Sequence, residues 1–238
     1  MIVLLGLAVW NQDRISKAVL TPERADRWLE MIPEGTAKVD LHKVTTSDGY
    51  ILTVVGLKGE KYNPDLPIVL FHHGMAETAV AWLFGAYPVA KQFTDQGFEV
   101  LLINGRGSPL SQAHQTLSTD SRDYWDFSFP ELANDVIASC EFAFKRKEKK
   151  IVYVGHSLGG KSFFAAAADN YSYKLMDQWV EKAYLLGAPI YNKEHSSPLL
   201  DFFDIWATAV HKILWNNSIF YRSWDTEYTE FRNWKHTI

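Results

Sequence analysis

The sequence predicts an open α/β fold, with a mostly parallel central sheet flanked by helices. Three observations predict it. Four short, nearly continuous apolar runs, at 68–71, 100–103, 151–154 and 183–186, suit strands buried on both faces of a parallel sheet. Helical segments around 86–96, 130–144 and 161–170 alternate with those runs. Turns containing glycine follow the runs, at the strand ends where the sites of such sheets gather.

The elements follow in order. Met1 to Trp10 is apolar apart from glycine, lacks a basic leader and is too short to span a bilayer. It reads either as a clipped signal-peptide core or as a buried first turn or strand. Thr21-Pro22-Glu23 is a helix start, with proline at the first helical position and an acidic first turn. The stretches 40–46 and 50–57, separated by Ser47-Asp48-Gly49, predict a hairpin with glycine in its turn. After a loop at Asn63-Pro64-Asp65-Leu66-Pro67 the strand and helix alternation begins and runs to residue 186. No internal repeat, low-complexity tract or linker divides the chain.

Composition agrees with one large globular domain: 47% of the 238 residues are hydrophobic, 14% aromatic and 22% charged. A net charge of -4 gives no electrostatic reason to expect nucleic acid. The basic run 145–150 follows a helical stretch, whose negative C-terminal end cations stabilise. Cys140 is the only cysteine, which rules out an intrachain disulfide framework. Asn170-Tyr171-Ser172 and Asn216-Asn217-Ser218 fit the glycosylation acceptor pattern, a short pattern that also arises by chance.

The chemistry is concentrated at 151–162. An apolar run ends in Gly155-His156-Ser157-Leu158-Gly159, and a small-residue helical segment follows. A serine hydroxyl is a poor nucleophile at neutral pH. Hydrolases therefore mount it on a tight strand-to-helix turn, with the helix N-terminus beneath it. Gly155 and Gly159 would supply the room that such a turn needs. The same residues, continued through Gly160-Lys161-Ser162, also satisfy the phosphate-loop pattern G-x-x-x-x-G-K-[ST]. A nucleotide binder needs in addition a strand ending in Asp to hold Mg²⁺, whereas these strands end in His72-His73-Gly74, Asn104-Gly105-Arg106 and Gly187-Ala188-Pro189.

Under the hydrolase reading, Ser157 is the nucleophile and the amides of Met75 and Leu158 receive the oxyanion. His72 and His73 read either as packing and turn residues or as proton carriers. Arg106 reads as a scaffold residue that binds carbonyls or a carboxylate, or as a substrate contact.

Several segments together resemble the acid lipase family of α/β-hydrolases, which includes gastric, lysosomal and insect lipases. They are Thr45-Thr46-Ser47-Asp48-Gly49-Tyr50-Ile51-Leu52, His73-Gly74 followed by Trp82, Asn104-Gly105-Arg106-Gly107, the serine turn, and Tyr124-Trp125-Asp126-Phe127-Ser128-Phe129-Pro130-Glu131-Leu132-Ala133. The likeness covers about 40–191 and continues more weakly to about 220. It implies an α/β-hydrolase fold that hydrolyses triacylglycerols or sterol esters through an acyl-serine, with no metal or organic cofactor. It also implies a lipid ester or lipid surface as partner and a secreted or lysosomal location.

That family places its catalytic Asp and His late, after further strands. Only 81 residues follow Ser157 here, and one strand-like run lies among them. The expected division is an N-terminal segment at 1–38, a hydrolase core at 39–191 and a helical cap at 192–238, with the fold cut short after the cap begins. Leu199, Phe203, Trp206, Val210 and Ile213 recur at helical spacing, as do Trp224, Tyr228, Phe231 and Trp234. They read as a lid over an acyl pocket or as ordinary packing. Asp201 and Asp204 before His211, and Asp225 before His236, satisfy the linear order of acid and base, and His195 lies nearer the last strand. Two function classes follow: an ester hydrolase, or a catalytically inactive relative that binds lipid or serves in an assembly.

Overall fold

The computed structural model describes residues 36–75, 77–83, 88–127, 129–168 and 170–188. The apolar start, the helix start at Thr21, both aromatic stretches of the tail, and His195, His211 and His236 with their candidate acids lie outside those residues.

Within them the chain runs β1 (Thr36–Thr45), β2 (Tyr50–Gly59), β3 (Ile68–His72), α1 (Val89–Asp95), β4 (Glu99–Asn104), β5 (Ala113–His114), α2 (Leu132–Lys147), β6 (Ile151–His156), α3 (Leu158–Ala168), α4 (Asn170–Trp179) and β7 (Val180–Leu186). Two 3₁₀ turns, Ala79–Leu83 and Arg122–Trp125, lie in the connections. The strands form one mixed sheet in the order β1-β2-β4-β3-β6-β7, with β5 against β2. The β1–β2 hairpin and its pairing to β4 are antiparallel, and β4, β3, β6 and β7 are parallel to one another.

The apolar runs are nearly continuous because the sheet has two covered faces. Ile68 and Leu70 of β3 pack in one core with Leu101, Ile103, Ile151 and Tyr153, against Val136, Cys140, Ala143, Ala166 and Met176 of the helices. The alternate residues Val69 and Phe71 pack in a second core with Val100, Leu102 and Val154, beneath Trp82, Leu83 and Ala90. Each such side chain, buried on both sides of the sheet, contributes about 1.5–3 kcal/mol.

The hairpin and four parallel strands stand where the sequence places them, with shifted ends. Helix α1 begins at Val89 because Pro88 holds the extended conformation at its N-cap. Helix α2 extends to Lys147 and stops at Glu148, which takes the left-handed conformation at φ 53°. Helix α3 begins three residues earlier than expected, directly after Ser157, and α4 is an element the sequence reading left unassigned.

Strand β7 starts at Val180 and is the last strand of the sheet among the described residues, with Tyr184 and Leu186 about half exposed, so the expected burial on both faces does not hold there. The basic run does close α2, and it also has a partner. Arg146 Nη2 donates to Glu99 Oε1 at 2.6 Å, with Lys58 and Lys147 each 3.6 Å from Oε2 of the same buried carboxylate.

Candidate active site

The carboxyl ends of β3, β6 and β7 meet at Ser157. Strand β6 ends at His156, Ser157 alone makes the turn in the left-handed region at φ 47°, and α3 begins at Leu158. A serine there costs about 1–2 kcal/mol of backbone strain, which the surrounding contacts must hold. The Ser157 amide donates to the Leu186 carbonyl at 2.9 Å, which ties the turn to β7. The Ser157 carbonyl accepts from Lys161 N at 2.9 Å and so opens the helix.

Two glycines make this shape possible. A Cβ on Gly155 would stand 2.7 Å from Gly160 N, and one on Gly159 would stand 2.6 Å from the His72 carbonyl oxygen. Both obstacles are backbone, which cannot swing aside. The result is the strand-turn-helix bend of a nucleophile elbow.

The exit of β3 lies against this bend. Gly159 N donates to the His73 carbonyl at 3.1 Å, and a Cβ on Gly74 would reach Ser157 Cβ at 3.3 Å. The structure thus brings Gly74, Gly155, His156, Ser157 and Gly159 together. Met75, next in the chain after Gly74, is exposed. Leu158 occupies the first position of α3, where backbone N–H groups have no partner within the helix and the dipole is positive.

The phosphate-loop reading does not survive this geometry. That motif needs a wide loop of several residues between its strand and its helix, but here only Ser157 separates β6 from α3, and Leu158 and Gly159 are already helical. Ser162 Oγ is buried and donates to the Leu158 carbonyl at 2.9 Å, and Lys161 Nζ stands 4.5 Å from the centre of the Phe129 ring.

The two histidines at the end of β3, His72 within it and His73 just after it, are scaffold. The Tyr153 hydroxyl donates to the Gly159 carbonyl at 2.8 Å, so the proton it shares with His72, 2.9 Å away, belongs to His72 Nδ1. His73 Nδ1 donates to the Gly74 carbonyl at 2.7 Å, and its Nε2 accepts from Gly105 N at 3.1 Å. Burial lowers the pKa of both rings, that of His72 to about 3, and holds them neutral. Tyr153, which holds the helix start to β3, carried no signal in the sequence beyond its place in an apolar run.

Arg106 is a scaffold residue as well. Its Nε donates to Asp135 Oδ1 at 2.8 Å, and its backbone N to Asp135 Oδ2 at 2.8 Å. Its two terminal nitrogens bind both oxygens of Asp48, at 2.7 and 3.0 Å. The guanidinium lies 4.0 Å from the centre of the Tyr50 ring and 5.5 Å from that of Phe127. Burial pushes the Asp48 carboxyl upward, but the bonds from Arg106 and Thr46 outweigh it and hold its pKa below the ordinary value.

One acidic residue escaped the sequence reading. Glu77 Oε2 accepts from the Gly74 amide at 2.7 Å and lies 3.1 Å from His156 Nδ1. A carboxylate three residues beyond a glycine is too common a pattern to have marked it. The described histidines are thereby accounted for. His42 packs on Phe142, His114 Nε2 is bonded to the Asp48 carbonyl, and His156 faces Glu77. Among the described residues no group of three or more His, Cys, Asp or Glu side chains is placed to hold a metal ion.

Sheet order, bend and glycine contacts define a class, and the chain belongs to the α/β hydrolase fold family, whose model matches residues 67–223. A second model, described as a partial α/β-hydrolase lipase region, matches residues 30–86. Among curated relatives, the gastric triacylglycerol lipase of Bos taurus is 30% identical over 215 residues, 87% of this chain and 53% of that protein. Lipase member M of Homo sapiens is 33% identical over 196 residues, 78% of this chain and 45% of that protein. The chain therefore spans about half the length of the curated relatives it matches. A solved structure of esterase Est22 superposes with a TM-score of 0.51 at 18% identity, over 71% of this chain and 48% of that one. That likeness is one of fold.

Proposed function

We propose that this chain belongs to a serine ester hydrolase of acid-lipase type that acts on triacylglycerols or sterol esters. Ser157 Oγ attacks the ester carbonyl, and the amides of Met75 and Leu158 hold the oxyanion that forms. Collapse expels the alcohol and leaves an acyl-serine, which water hydrolyses to release the fatty acid. The proton that leaves Ser157 passes to a base and then to the departing alkoxide. The described histidines are all held elsewhere, so this base and its orienting acid are assigned to residues outside them.

The observation that carries the proposal is Ser157 at φ 47° between Gly155 and Gly159, with Gly74 against its Cβ. The named relatives support the substrate class, since they include gastric triacylglycerol lipases at about 30% identity. A secreted or lysosomal setting is part of the same proposal and rests on the resemblance to the acid lipase family. Among the described residues no helix is long and apolar enough to cross a membrane.

A fluorophosphonate probe tests the reading. Labelling at Ser157 that Ser157→Ala abolishes, together with turnover of a p-nitrophenyl fatty ester, is the expected result. Labelling no faster than at surface serines, alongside tight fatty-acid binding, would favour a lipid-binding relative instead.

A further inference from the structure

Gly74 is held from two directions at the exit of β3. Its amide donates to Glu77 Oε2 at 2.7 Å, and the same oxygen lies 3.1 Å from His156 Nδ1, on the residue immediately before Ser157. A Cβ on Gly74 would meet His156 Nδ1 at 2.9 Å, Glu77 Oε2 at 3.0 Å and Ser157 Cβ at 3.3 Å. One carboxylate oxygen therefore spans the gap between the loop that carries Met75 and the turn that carries Ser157. A carboxyl oxygen has the lone pairs to accept from both groups at once.

We propose that Glu77 is a positioning residue, a latch whose carboxylate joins the Gly74 amide to His156 and so sets the distance between the Met75 amide and Ser157. The role rests on the reading of Ser157 as nucleophile given above. Two facts of geometry favour a latch over an ordinary surface contact. Its grips are on different elements, 79 residues apart in the chain for Glu77 and His156, and one of them is a backbone amide adjoining the proposed oxyanion donor. Misplacing such a donor by about an ångström costs up to a hundredfold in rate.

The groups that face Glu77 are His156 from the turn and His73 from the end of β3, while the Trp82 ring packs edge-on to His156 with centroids 6.5 Å apart. Burial pushes the Glu77 carboxyl upward, but the Gly74 amide and His156 outweigh it and hold its pKa below the ordinary value. The latch is thus engaged at neutral pH and loosens as pH falls through that lowered value.

The test compares the chain with Glu77→Gln and Glu77→Ala, reading acylation of Ser157 by a fluorophosphonate and the amide proton resonance of Gly74 by NMR. The expected result is a roughly tenfold slower acylation step for Glu77→Gln, with probe affinity unchanged, and a larger loss for Glu77→Ala. The Gly74 resonance moves in both variants, away from the position a carboxylate acceptor imposes. Equal acylation in all three proteins overturns the positioning role. A Gly74 resonance unmoved by Glu77→Gln overturns the latch itself. Absence of labelling in the unmutated chain overturns the nucleophile reading and the positioning role with it. Normal labelling in that chain separates a failure of the latch from a failure of the hydrolase reading.

Discussion

Arg106 Nε donates to Asp135 Oδ1 at 2.8 Å with both side chains sealed from solvent. Through this pair, completed by Asp48, the β1–β2 turn, the exit of β4 and helix α2 are fastened to one guanidinium. Two of the segments that carry the family likeness, 45–52 and 104–107, are thus fastened to α2.

Removing Asp135 leaves the buried Arg106 with Asp48 as its remaining counter-charge and its backbone N–H without an acceptor. Asp135→Ala is expected to lower unfolding stability by about 3 kcal/mol, read as a shift of the urea midpoint at unchanged slope. A loss under 1 kcal/mol would contradict the burial described above.

Gly159→Ala puts a methyl 2.6 and 2.8 Å from two carbonyl oxygens of β3 and its exit. The expected cost is about 3 kcal/mol, together with loss of probe labelling, because the helix can find room only by moving away from β3. Thermal unfolding and labelling of the same sample check both parts.

Ser157→Gly relieves the left-handed strain while it removes the hydroxyl. The variant should unfold about 1 kcal/mol later than the unmutated chain and should not label at all. If Ser157→Gly proved less stable than Ser157→Ala, the φ of 47° would not describe this turn in solution.

Acid should destabilise the fold well before carboxylates titrate. His72 and His73 are held neutral, with pKa values lowered by burial, so between the unfolded value of 6.5 and the folded one, about 3 for His72, the unfolded chain binds the extra protons. Stability then rises with pH across that window and is lost as pH falls, by up to about 1.4 kcal/mol per unit for each ring. Glu77 and Asp48, whose pKa values are also lowered in the fold, add to the loss at lower pH. His72→Gln should flatten the dependence between pH 6.5 and 4.5, measured by urea unfolding at several pH values. An equal slope in both proteins would show that His72 is not a buried neutral ring.

The parallel strands were legible because a strand covered on both faces must be apolar along its whole length. Ile68–His72 and Ile151–His156 satisfy that requirement without help from neighbours. The turn at Ser157 was legible for a related reason. Only glycine tolerates the backbone contacts found at Gly155 and Gly159, so the constraint is written in residue identity.

Other features depend on partners distant in the chain, which local pattern cannot name. Glu99 reads as one acid before an apolar run, yet it anchors three cations brought by β2 and α2. Arg106 was recognisable as a residue that binds carboxylate, but Asp48 and Asp135 were not recognisable as its carboxylates. Glu77 had no signal at all until Gly74 and His156 were set on either side of it.

Local sequence thus decided where the backbone is apolar and where it must be bare, since burial and Cβ clashes act on each residue singly. It also left two chemistries open for one turn. Folding closed that choice, because only packing fixes whether Leu158 to Ser162 are loop or helix, and only the sheet brings the exit of β3 against Ser157.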